Sequence, residues 1–600
     1  MEGFLIVVSL LIFCSVTVRA ATVTASVGNT IVTTSVGDIV GFSDSWENVT
    51  VNKYLGVPFA EVPTGDLRFE APVAKAHFTA PFSANAFGPR CIQPFNPVDN
   101  QTMSEDCLRL NLYVPTSGEA NKAVMVWIHG GGFVLGHGDL YDGLKMAALG
   151  DVIIVTLNYR LGIFGFFTTG DANASGNYGL LDQQLALKWV KNNIGAFGGD
   201  QNRVTIFGES AGAASGTWQM LAPSNKGMFQ RIIAESGVAS SPWGFPNPKT
   251  TTGYSNNLAR VLGCANADSS EVVACLRKLP EQAFGVESSS DGFPHSISGL
   301  EVPVGPRVDG TFITTSPNCL DPGQRIEDHP LFKSVDFLVG ANKYEGSPFL
   351  ANTNLAILAE NKSSLYDGVS EADFKMIATS FAGLDDDKAV DTLWKRYAKG
   401  QTQMTDARDF LEFLGDALFY KMIIRFLDSH VVDSTGSTYF YSFLPMPSKE
   451  VGSIAYGAVP PVSPYVDGSI HTDELGYIFG NTTMWKSGGG APGEKELSDA
   501  MITYWTNFAK SGNPNKPAAV SHKWPEYNSS EKKFIEFDIQ NKKLDLRNRS
   551  SYRSQFLSYW NGIEPRMQYL CATDASQSIR PCGLSNLIKF VLSLISGVEQ

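Results

Sequence analysis

The sequence predicts an α/β fold with a mostly parallel central sheet. Three apolar runs indicate this fold, because residues 124–128, 204–207 and 335–340 each read as a short buried strand. A turn follows each run, and alanine-rich sequence up to about Leu221 reads as a helix after the second run. Strands that alternate with helices are typical of parallel sheets.

The turn after the second strand carries a candidate nucleophile. Residues 208–212 read G-E-S-A-G, between an apparent strand and an apparent helix. A serine on such a turn presents its hydroxyl at the carboxyl end of the sheet. A Cβ at Gly208 or Gly212 would collide with a neighbouring strand or helix. The pattern favours Ser210 as a nucleophile, with Glu209 beside it in a supporting role; the alternative is a glycine-rich turn with an ordinary serine.

The turn after the first strand offers hydrogen-bond donors for an oxyanion. Residues 129–133 read H-G-G-G-F, and three glycines expose successive backbone N–H groups. This suits a loop that pairs with the N–H just after a nucleophile. We therefore predict Gly131, Gly132 and Ala211 as the oxyanion donors. The alternative is a flexible loop.

A serine nucleophile needs a base, and a histidine is the usual choice. In this arrangement the chain order is Ser, acid, His, which excludes the histidines before Ser210. His430 ends an apolar helical stretch, and His522 lies in a polar segment. His471 follows a glycine-containing loop after the strand-like run 439–443, so we predict it as the base. The order thus excludes His77, His129 and His137, and His295 and His329 precede the best candidate for the acid.

The acid is expected just after a parallel strand that lies between these two residues in the chain. Glu345 follows the run 335–340 and is the predicted acid, which would orient His471 and stabilise its imidazolium. Asp473 and Glu474 are the alternatives, although neighbours in a loop seldom reach the ring of an adjacent residue. Glu474 is also a candidate for a supporting role.

Several further motifs resemble the type-B carboxylesterases, the cholinesterase-like α/β-hydrolases. The resemblance covers nearly the whole chain after its N-terminal segment. The motifs that carry it are Y-L-G-V-P-F-A at 54–60, E-D-C-L-R-L-N at 105–111, G-N-Y-G-L-L-D-Q at 176–183 and F-G-G-D at 197–200. Within the family, residues 169–173 and 500–510 look closest to the bile-salt-activated lipases.

The resemblance implies an α/β-hydrolase fold, with a large, mixed, mostly parallel central sheet, helices on both of its faces and long helical insertions. It also implies a secreted carboxylic ester hydrolase that works through an acyl-enzyme without a cofactor. It places nucleophile, acid and base on Ser210, Glu345 and His471, and the oxyanion donors on the three residues already predicted. It also implies that Ser236 supports the triad from behind. Trp243 and Phe349 are candidates for an apolar acyl pocket.

Two alternatives remain within the same family. A cholinesterase is disfavoured because the loop between Cys91 and Cys107 contains no tryptophan for a cation–π contact, only Phe95. A non-catalytic adhesion protein is disfavoured because Ser210, Glu345 and His471 are all present.

Composition and length limit the remaining possibilities. A net charge of −13 argues against nucleic-acid binding, and no metal-ligand spacing occurs. Length alone would suggest three or four domains, but no linker or repeat divides the 600 residues. We expect a signal peptide at 1–20, one hydrolase domain at 21–565 with a helical insertion at roughly 340–450, and a tail at 566–600.

The chain ends point to export. Residues 4–14 are apolar, too short a run to span a bilayer, and Ala20 completes a small-residue cleavage site. Residues 584–597 have the pattern of an amphipathic helix, which would pack on the domain, form a homodimer or lie on a lipid surface. A GPI signal is the less favoured alternative. Otherwise the expected partner is a small-molecule or lipid ester.

The cysteines fit an oxidising compartment. The family resemblance implies disulfides Cys91–Cys107 and Cys264–Cys275, and Cys571–Cys582 is plausible. That pairing leaves Cys319 free and buried; the alternative is an intermolecular bridge. Glycosylation is expected at several of the N-x-S/T sites, which begin at Asn48, Asn100, Asn173, Asn361, Asn481, Asn528 and Asn548.

Overall fold

The structure is a computed structural model of the chain. It describes residues 29–93, 102–118, 120–246, 248–284, 304–314, 316–317, 326, 329–350, 368–382, 387–448, 465–480 and 490–563. The predicted signal peptide, tail and amphipathic helix lie outside these residues. So do Phe95, Asn100, Cys319, Asn361, Asn481, Cys571 and Cys582.

Thirteen strands of the described residues form one sheet, and two short strands pair separately. The strands are β1 (Asn29–Thr34), β2 (Gly37–Trp46), β3 (Val49–Pro58), β4 (Phe82–Ser83), β5 (Arg109–Pro115), β6 (Lys122–Ile128), β7 (Ile153–Leu157), β8 (Gly199–Glu209), β9 (Arg231–Glu235), β10 (Asp336–Asn342), β11 (Val369–Ser370), β12 (Gln403–Met404), β13 (Thr438–Phe443), β14 (Lys533–Gln540) and β15 (Lys543–Ser550).

The centre of the large sheet is parallel and its edges are antiparallel. The strand order is β1-β2-β3-β5-β7-β6-β8-β9-β10-β13-β14-β15, with β4 beside β2. All neighbours from β7 to β14 pair in parallel, whereas β1, β2, β3 and β5 form an antiparallel edge and β15 closes the other edge. The predicted mixed, mostly parallel sheet is therefore confirmed.

The described helices lie between and after the strands. The α-helices are Leu144–Gly150, Gly162–Phe166, Tyr178–Asn193, Ala211–Met220, Pro248–Val261, Ser269–Arg277, Pro330–Ser334, Glu371–Ala382, Asp387–Tyr397, Ala407–Gly415, Lys421–His430, Leu475–Ile478, Glu494–Ser511 and Ser554–Ile563. A π-helix, Asp416–Tyr420, joins two of them.

Strand β6 shows how both faces of the sheet are covered. Val124, Val126 and Ile128 point into one apolar core, and Met125 and Trp127 into another. Since successive side chains of a strand point to opposite faces, both faces of this strand are buried. The first core includes side chains from the helices Tyr178–Asn193 and Ala211–Met220, and the second includes side chains from Leu144–Gly150 and Glu494–Ser511.

The helical insertion lies between two strands that the sequence predicts. Residues 336–342 and 438–443, read from the sequence as strand runs at 335–340 and 439–443, are strands β10 and β13 of the sheet. The described insertion helices run from Glu371 to His430. The two strands pair with each other in parallel, which ties the beginning of the insertion to its end.

Among the described residues, two disulfides are present, Cys91–Cys107 and Cys264–Cys275, as the family resemblance implied. Both close short loops, 16 and 11 residues apart in sequence. Within the described part of the chain, none of the helices has the length and apolar character needed to cross a membrane.

Candidate active site

Ser210 occupies a strained turn at the carboxyl end of β8. The strand ends at Glu209 and the helix begins at Ala211, so Ser210 alone joins them, with φ 56° and ψ −121°. A positive φ is uncommon for a residue with a Cβ and persists only where the surroundings hold it. Here the N–H of Ser210 donates to the carbonyl of Glu235, at the end of β9, over 2.8 Å.

Close packing explains the two glycines around this turn. A Cβ on Gly212 would overlap the carbonyl oxygen of Ile128, and one on Gly208 would lie 2.6 Å from the same oxygen. The helix after Ser210 therefore approaches the end of β6 more closely than any residue with a side chain would allow.

The imidazole of His471 is hydrogen-bonded to the predicted acid. Nδ1 of His471 lies 2.5 Å from Oε2 of Glu345. The second carboxylate oxygen, Oε1, accepts the N–H of Asn342 over 2.6 Å. Both side chains are buried. The carboxylate thus fixes the orientation of the ring and favours the tautomer that carries its proton on Nδ1.

Two loops bring these residues together from positions 126 residues apart. Tyr344 and Ile470 form an isolated parallel bridge. The N–H of Tyr344 donates to the carbonyl of Ser469 over 2.9 Å, and the N–H of His471 donates to Oγ of Ser347 over 3.1 Å. These contacts add one parallel bridge beyond the end of β10.

The other ring nitrogen of His471 faces the nucleophile turn. Nε2 lies 3.0 Å from Oε1 of Glu209, the residue immediately before Ser210. The two atoms lie at the distance of an ion pair. They do not form a hydrogen bond, since Oε1 of Glu209 has no hydrogen-bond partner among the described residues. The imidazole therefore lies between two carboxylates, one on each nitrogen.

The charges of this cluster depend on one another. Burial disfavours the imidazolium of His471, but the two carboxylates Glu209 and Glu345 outweigh it and raise the pKa of His471 well above its ordinary value. Burial also raises the pKa of Glu209, an effect that the imidazolium partly offsets. A buried imidazolium is therefore stabilised at this position.

The predicted oxyanion donors lie in two segments at the same edge of the sheet. Gly131 and Gly132 follow β6 and have φ values of 105° and 61°, which favour glycine. Ala211 is the first residue of its helix, where the N–H has no intrahelical acceptor and the helix dipole favours negative charge. The N–H groups of these three residues make no hydrogen bond within the described structure.

Two other predicted residues, Ser236 and Glu474, are buried and make no hydrogen bond to the His471 ring among the described residues. Ser236 is buried with φ 59°, and its Oγ has no hydrogen-bond partner in the described residues. Glu474 accepts the side-chain amide of Asn342 over 2.5 Å. Glu345 is thus the carboxylate hydrogen-bonded to His471, whereas Oδ2 of the alternative acid Asp473 accepts the N–H of Ile470 over 2.8 Å.

The cluster contains more buried carboxylates than cations. Glu235 is also buried and accepts the indole N–H of Trp505 over 2.7 Å. Burial raises the pKa of Glu235 and Glu474 well above the ordinary value. Burial therefore favours the protonated forms of Glu235 and Glu474.

Two other histidines, His430 and His129, are also buried. His430 ends its helix, with Nδ1 2.8 Å from Oγ1 of Thr438 and Nε2 3.1 Å from the carbonyl oxygen of Val335. Burial lowers the pKa of His430 to about 4. The ring of His129 stacks on Tyr159 at 4.4 Å, and burial lowers the pKa of His129 to about 3.

An aromatic wall adjoins the His471 ring. The sequence did not single out Phe419, whose ring centre lies 5.1 Å from that of His471. The ring centres of Trp243 and Phe349 lie 5.4 Å and 5.9 Å from that of Phe419. A Cβ on Gly237 would lie 2.7 Å from both Trp243 and the carbonyl oxygen of Ser210. In the sequence, Phe419 is distinguished only by its position in an apolar helical run, and a core residue would have the same pattern.

Metal sites and surface positions complete the description. Over the described ranges, no group of three or more His, Cys, Asp or Glu side chains is arranged to hold a metal ion. Of the predicted glycosylation sites that the structure describes, Asn48, Asn173 and Asn548 are exposed and Asn528 is half-buried.

Comparison with known proteins now decides the family. A sequence model of the carboxylesterase family matches residues 28–560. The chain belongs to the carboxylesterase family. Human bile salt-activated lipase is 35% identical over 534 residues, which cover 85% of this chain and 66% of the lipase. Acetylcholinesterase of Bungarus fasciatus is 34% identical over 564 residues, 90% of this chain and 87% of that enzyme.

The carboxylesterase family match extends beyond enzymes named for ester hydrolysis. Human neuroligin-2 is 31% identical over 620 residues, covering 90% of this chain and 68% of neuroligin-2. Overall similarity therefore identifies the fold and the family, and the functional assignment depends on the individual side chains of the site.

Proposed function

We propose that this carboxylesterase-family chain is a secreted carboxylic ester hydrolase that uses Ser210, His471 and Glu345 as a catalytic triad. One observation carries the proposal: the 2.5 Å contact between Nδ1 of His471 and Oε2 of Glu345, with Nε2 of the same ring facing the strained turn of Ser210. A nucleophile, a base and a group that orients the base are the parts that acyl transfer requires.

The first half-reaction forms an acyl-enzyme. Oγ of Ser210 attacks the ester carbonyl carbon while Nε2 of His471 takes the hydroxyl proton. The carbonyl oxygen becomes an oxyanion that accepts hydrogen bonds from the N–H groups of Gly131, Gly132 and Ala211. The C–O bond to the alcohol then breaks, and His471 returns the proton to the leaving oxygen.

The second half-reaction restores the enzyme. A water molecule gives a proton to Nε2 of His471 and attacks the acyl carbon, and the same donors hold the second oxyanion. The bond to Oγ of Ser210 breaks, the proton returns to Oγ and the carboxylic acid leaves. Glu345 stabilises the imidazolium in both halves without taking its proton. The scheme requires no cofactor.

The aromatic wall suggests an apolar acyl group. Phe419 and Trp243 lie beside His471 and Ser210, where the acyl part of a substrate would extend from the reacting carbon. Similarity to bile salt-activated lipase favours a lipid ester among the possible substrates. Similarity to acetylcholinesterase favours a choline ester, but the Cys91–Cys107 loop lacks a tryptophan to bind the cation.

A non-catalytic role is the second class of function, and similarity to neuroligin-2 is the observation in its favour. All three proposed triad residues are present, which favours the enzyme.

Two disulfides support secretion, because such bonds persist in oxidising compartments. Secretion would permit glycosylation at exposed sites such as Asn48; the C-terminal segment would add a lipid-surface contact, a homodimer contact or a GPI anchor.

Purified full-length protein and its Ser210→Ala variant test the proposal. We expect the wild type to hydrolyse chromogenic short-chain esters and to be inactivated stoichiometrically by an organophosphonate, and the variant to do neither. Equal turnover by both proteins, or no turnover by the wild type across esters from acetate to long-chain acylglycerols, with and without bile salt, would overturn it. Faster hydrolysis of butyrylthiocholine than of a neutral ester would favour the cholinesterase alternative.

A further inference from the structure

A π-helical turn lies directly beside the segment that carries Glu345. The helix Ala407–Gly415 continues through the π-helix Asp416–Tyr420 into the helix Lys421–His430. π-helical turns are rare and are frequently found at functional sites. This one places Tyr420, a fully buried residue, against residues 342–345 at the end of β10.

The hydroxyl of Tyr420 contacts three backbone groups of that segment. It accepts the N–H of Glu345 over 3.2 Å. It lies 2.9 Å from the carbonyl oxygen of Asn342 and 2.7 Å from that of Lys343, and its single proton is donated to these two acceptors. One side chain therefore satisfies polar groups at both ends of the Asn342–Glu345 turn.

The same turn determines where the carboxylate of Glu345 points. Its Oε1 accepts the N–H of Asn342, and its Oε2 meets Nδ1 of His471. The carboxylate is thus held by the backbone conformation that the Tyr420 hydroxyl stabilises. Loss of the hydroxyl would leave buried backbone groups without their partner, and the turn would relax to find others.

The phenol is itself held in place. The guanidinium of Arg553 lies 4.9 Å from the centre of the Tyr420 ring. It donates to both oxygens of the buried Asp416 over 2.6 Å and 2.7 Å, and Asp416 also accepts the hydroxyl of Tyr397. Burial raises the pKa of Tyr420 well above its ordinary value, so the hydroxyl remains a donor at neutral pH.

We propose that Tyr420 is a positioning residue for the triad acid, which holds the Glu345 carboxylate against His471 through the Asn342–Glu345 turn. The inference rests on the proposed function, because it assigns a consequence to the Glu345–His471 contact. Tyr420 acts through Glu345 and touches neither the substrate nor the reacting atoms. The Arg553–Asp416 pair supports it from the other side of the ring.

The variant Tyr420→Phe tests the role, with Tyr504→Phe as the matched control. Tyr504 is also buried and also donates to a carbonyl, that of His522, but it belongs to the other apolar core. Active-site titration with an organophosphonate gives the concentration of competent sites, so that kcat is measured per site. We expect kcat of Tyr420→Phe to fall about tenfold or more with KM nearly unchanged, since a displaced orienting group affects mainly the chemical step.

The pH profile separates positioning from folding. Glu209 and Glu345 are the carboxylates that face His471, and only the contact with Glu345 changes in the variant. A loosened contact stabilises the imidazolium less, so we expect the acid limb of kcat/KM to move to lower pH. The control should keep the wild-type kcat and acid limb.

A purely structural role would give a different result. It would reduce the fraction of titratable sites or the melting temperature while kcat per site and the acid limb stayed at wild-type values, and this outcome would overturn the inference. The Ser210→Ala comparison in the wild-type background reports separately on the proposed function. An active wild type with an unaffected Tyr420→Phe variant would reject the positioning role alone.

A second variant covers the case in which Tyr420→Phe gives no soluble protein. Gly415 has helical φ and ψ, so alanine suits its backbone, but the new Cβ would lie 2.5 Å from Cε2 of Tyr420. Gly415→Ala therefore displaces the ring while every hydrogen-bonding group remains. We expect the same fall in kcat and the same movement of the acid limb; wild-type values of both would overturn the inference.

Discussion

Oε1 of Glu209 and Nε2 of His471 lie 3.0 Å apart, on the side of the ring opposite Glu345. A second carboxylate at this position affects the resting state of the base. Its charge raises the pKa of His471, whereas the proposed first step needs a neutral imidazole. The pH dependence of the reaction should report this balance directly.

Replacement of Glu209 by Gln should make the enzyme active at lower pH. The pKa of His471 is raised, so its neutral form, and with it kcat/KM, increases only as the pH rises through that raised value. Removal of one carboxylate lowers this pKa, and we expect the acid limb to move down by about one pH unit. Measurement of kcat/KM from pH 4 to 9 checks this, with the exposed Glu371→Gln as control. An unmoved limb would mean that Glu209 is already neutral in the wild type.

Alanine at Gly212 should destabilise the protein. Its Cβ would overlap the carbonyl oxygen of Ile128, so strand β6 and the helix after Ser210 would have to separate. We expect a loss of about 3 kcal/mol or more in the free energy of unfolding, together with loss of activity. Thermal and denaturant unfolding provide the measurement.

Gly253→Ala is the matched control for that substitution. Gly253 lies within the helix Pro248–Val261, and a Cβ there meets nothing within 4 Å. Alanine should therefore be neutral or stabilise the helix by up to about 1 kcal/mol. Equal stability of the two variants would contradict the close approach of β6 to the helix.

Removal of one partner from the buried ion pair of Arg160 and Asp182 should destabilise the protein. Asp182 accepts the backbone N–H, Nε and Nη2 of Arg160 over 2.9, 2.8 and 2.7 Å, and both side chains are buried. Asp182→Asn would leave a buried guanidinium without its counter-charge, at a cost of about 3–5 kcal/mol in the free energy of unfolding. Glu371→Gln, which breaks an exposed pair with Lys375, should cost less than about 1 kcal/mol. Similar denaturation midpoints for both variants would be inconsistent with this assignment.

Truncation of Phe419 should change the acyl preference. Its ring lies between His471 and Trp243, so Phe419→Ala enlarges the space beside the reacting carbon. We expect the ratio of kcat/KM for an octanoate ester to that for an acetate ester to rise about tenfold. Phe410→Leu, in the same helical insertion but packed against Phe374 and Phe413, is the control. A ratio that moves equally in both variants would place the acyl group elsewhere.

Local sequence patterns were sufficient for the strands and turns at the carboxyl edge of the sheet. The apolar run before Ser210 and the small residues around it predicted a strand, a tight turn and a helix, because each depends on residues within a few positions. The family resemblance added the large mixed sheet and the two disulfides that the structure contains. The runs read as strands at 335–340 and 439–443 correspond to strands β10 and β13, at either end of the helical insertion.

Contacts between distant segments could not be predicted in this way. Glu209 was expected to support the site, but nothing in the sequence indicated that its carboxylate would meet the imidazole of His471. Nothing in the sequence singled out Tyr420, whose hydroxyl the structure places on the Asn342–Glu345 turn. The predicted tail and its amphipathic helix lie outside the described residues and stay predictions.

The sequence by itself determined which chemical groups are available and which of them stand at the ends of strands, since strand and turn propensities act over a few neighbouring residues. Only the tertiary structure decided which groups face one another: the carboxylates on both sides of one imidazole, and a phenol beneath the segment that carries the acid. Such contacts arise when packing of the sheet and its insertion brings together residues far apart in the chain, and their burial then makes each charge depend on its neighbours.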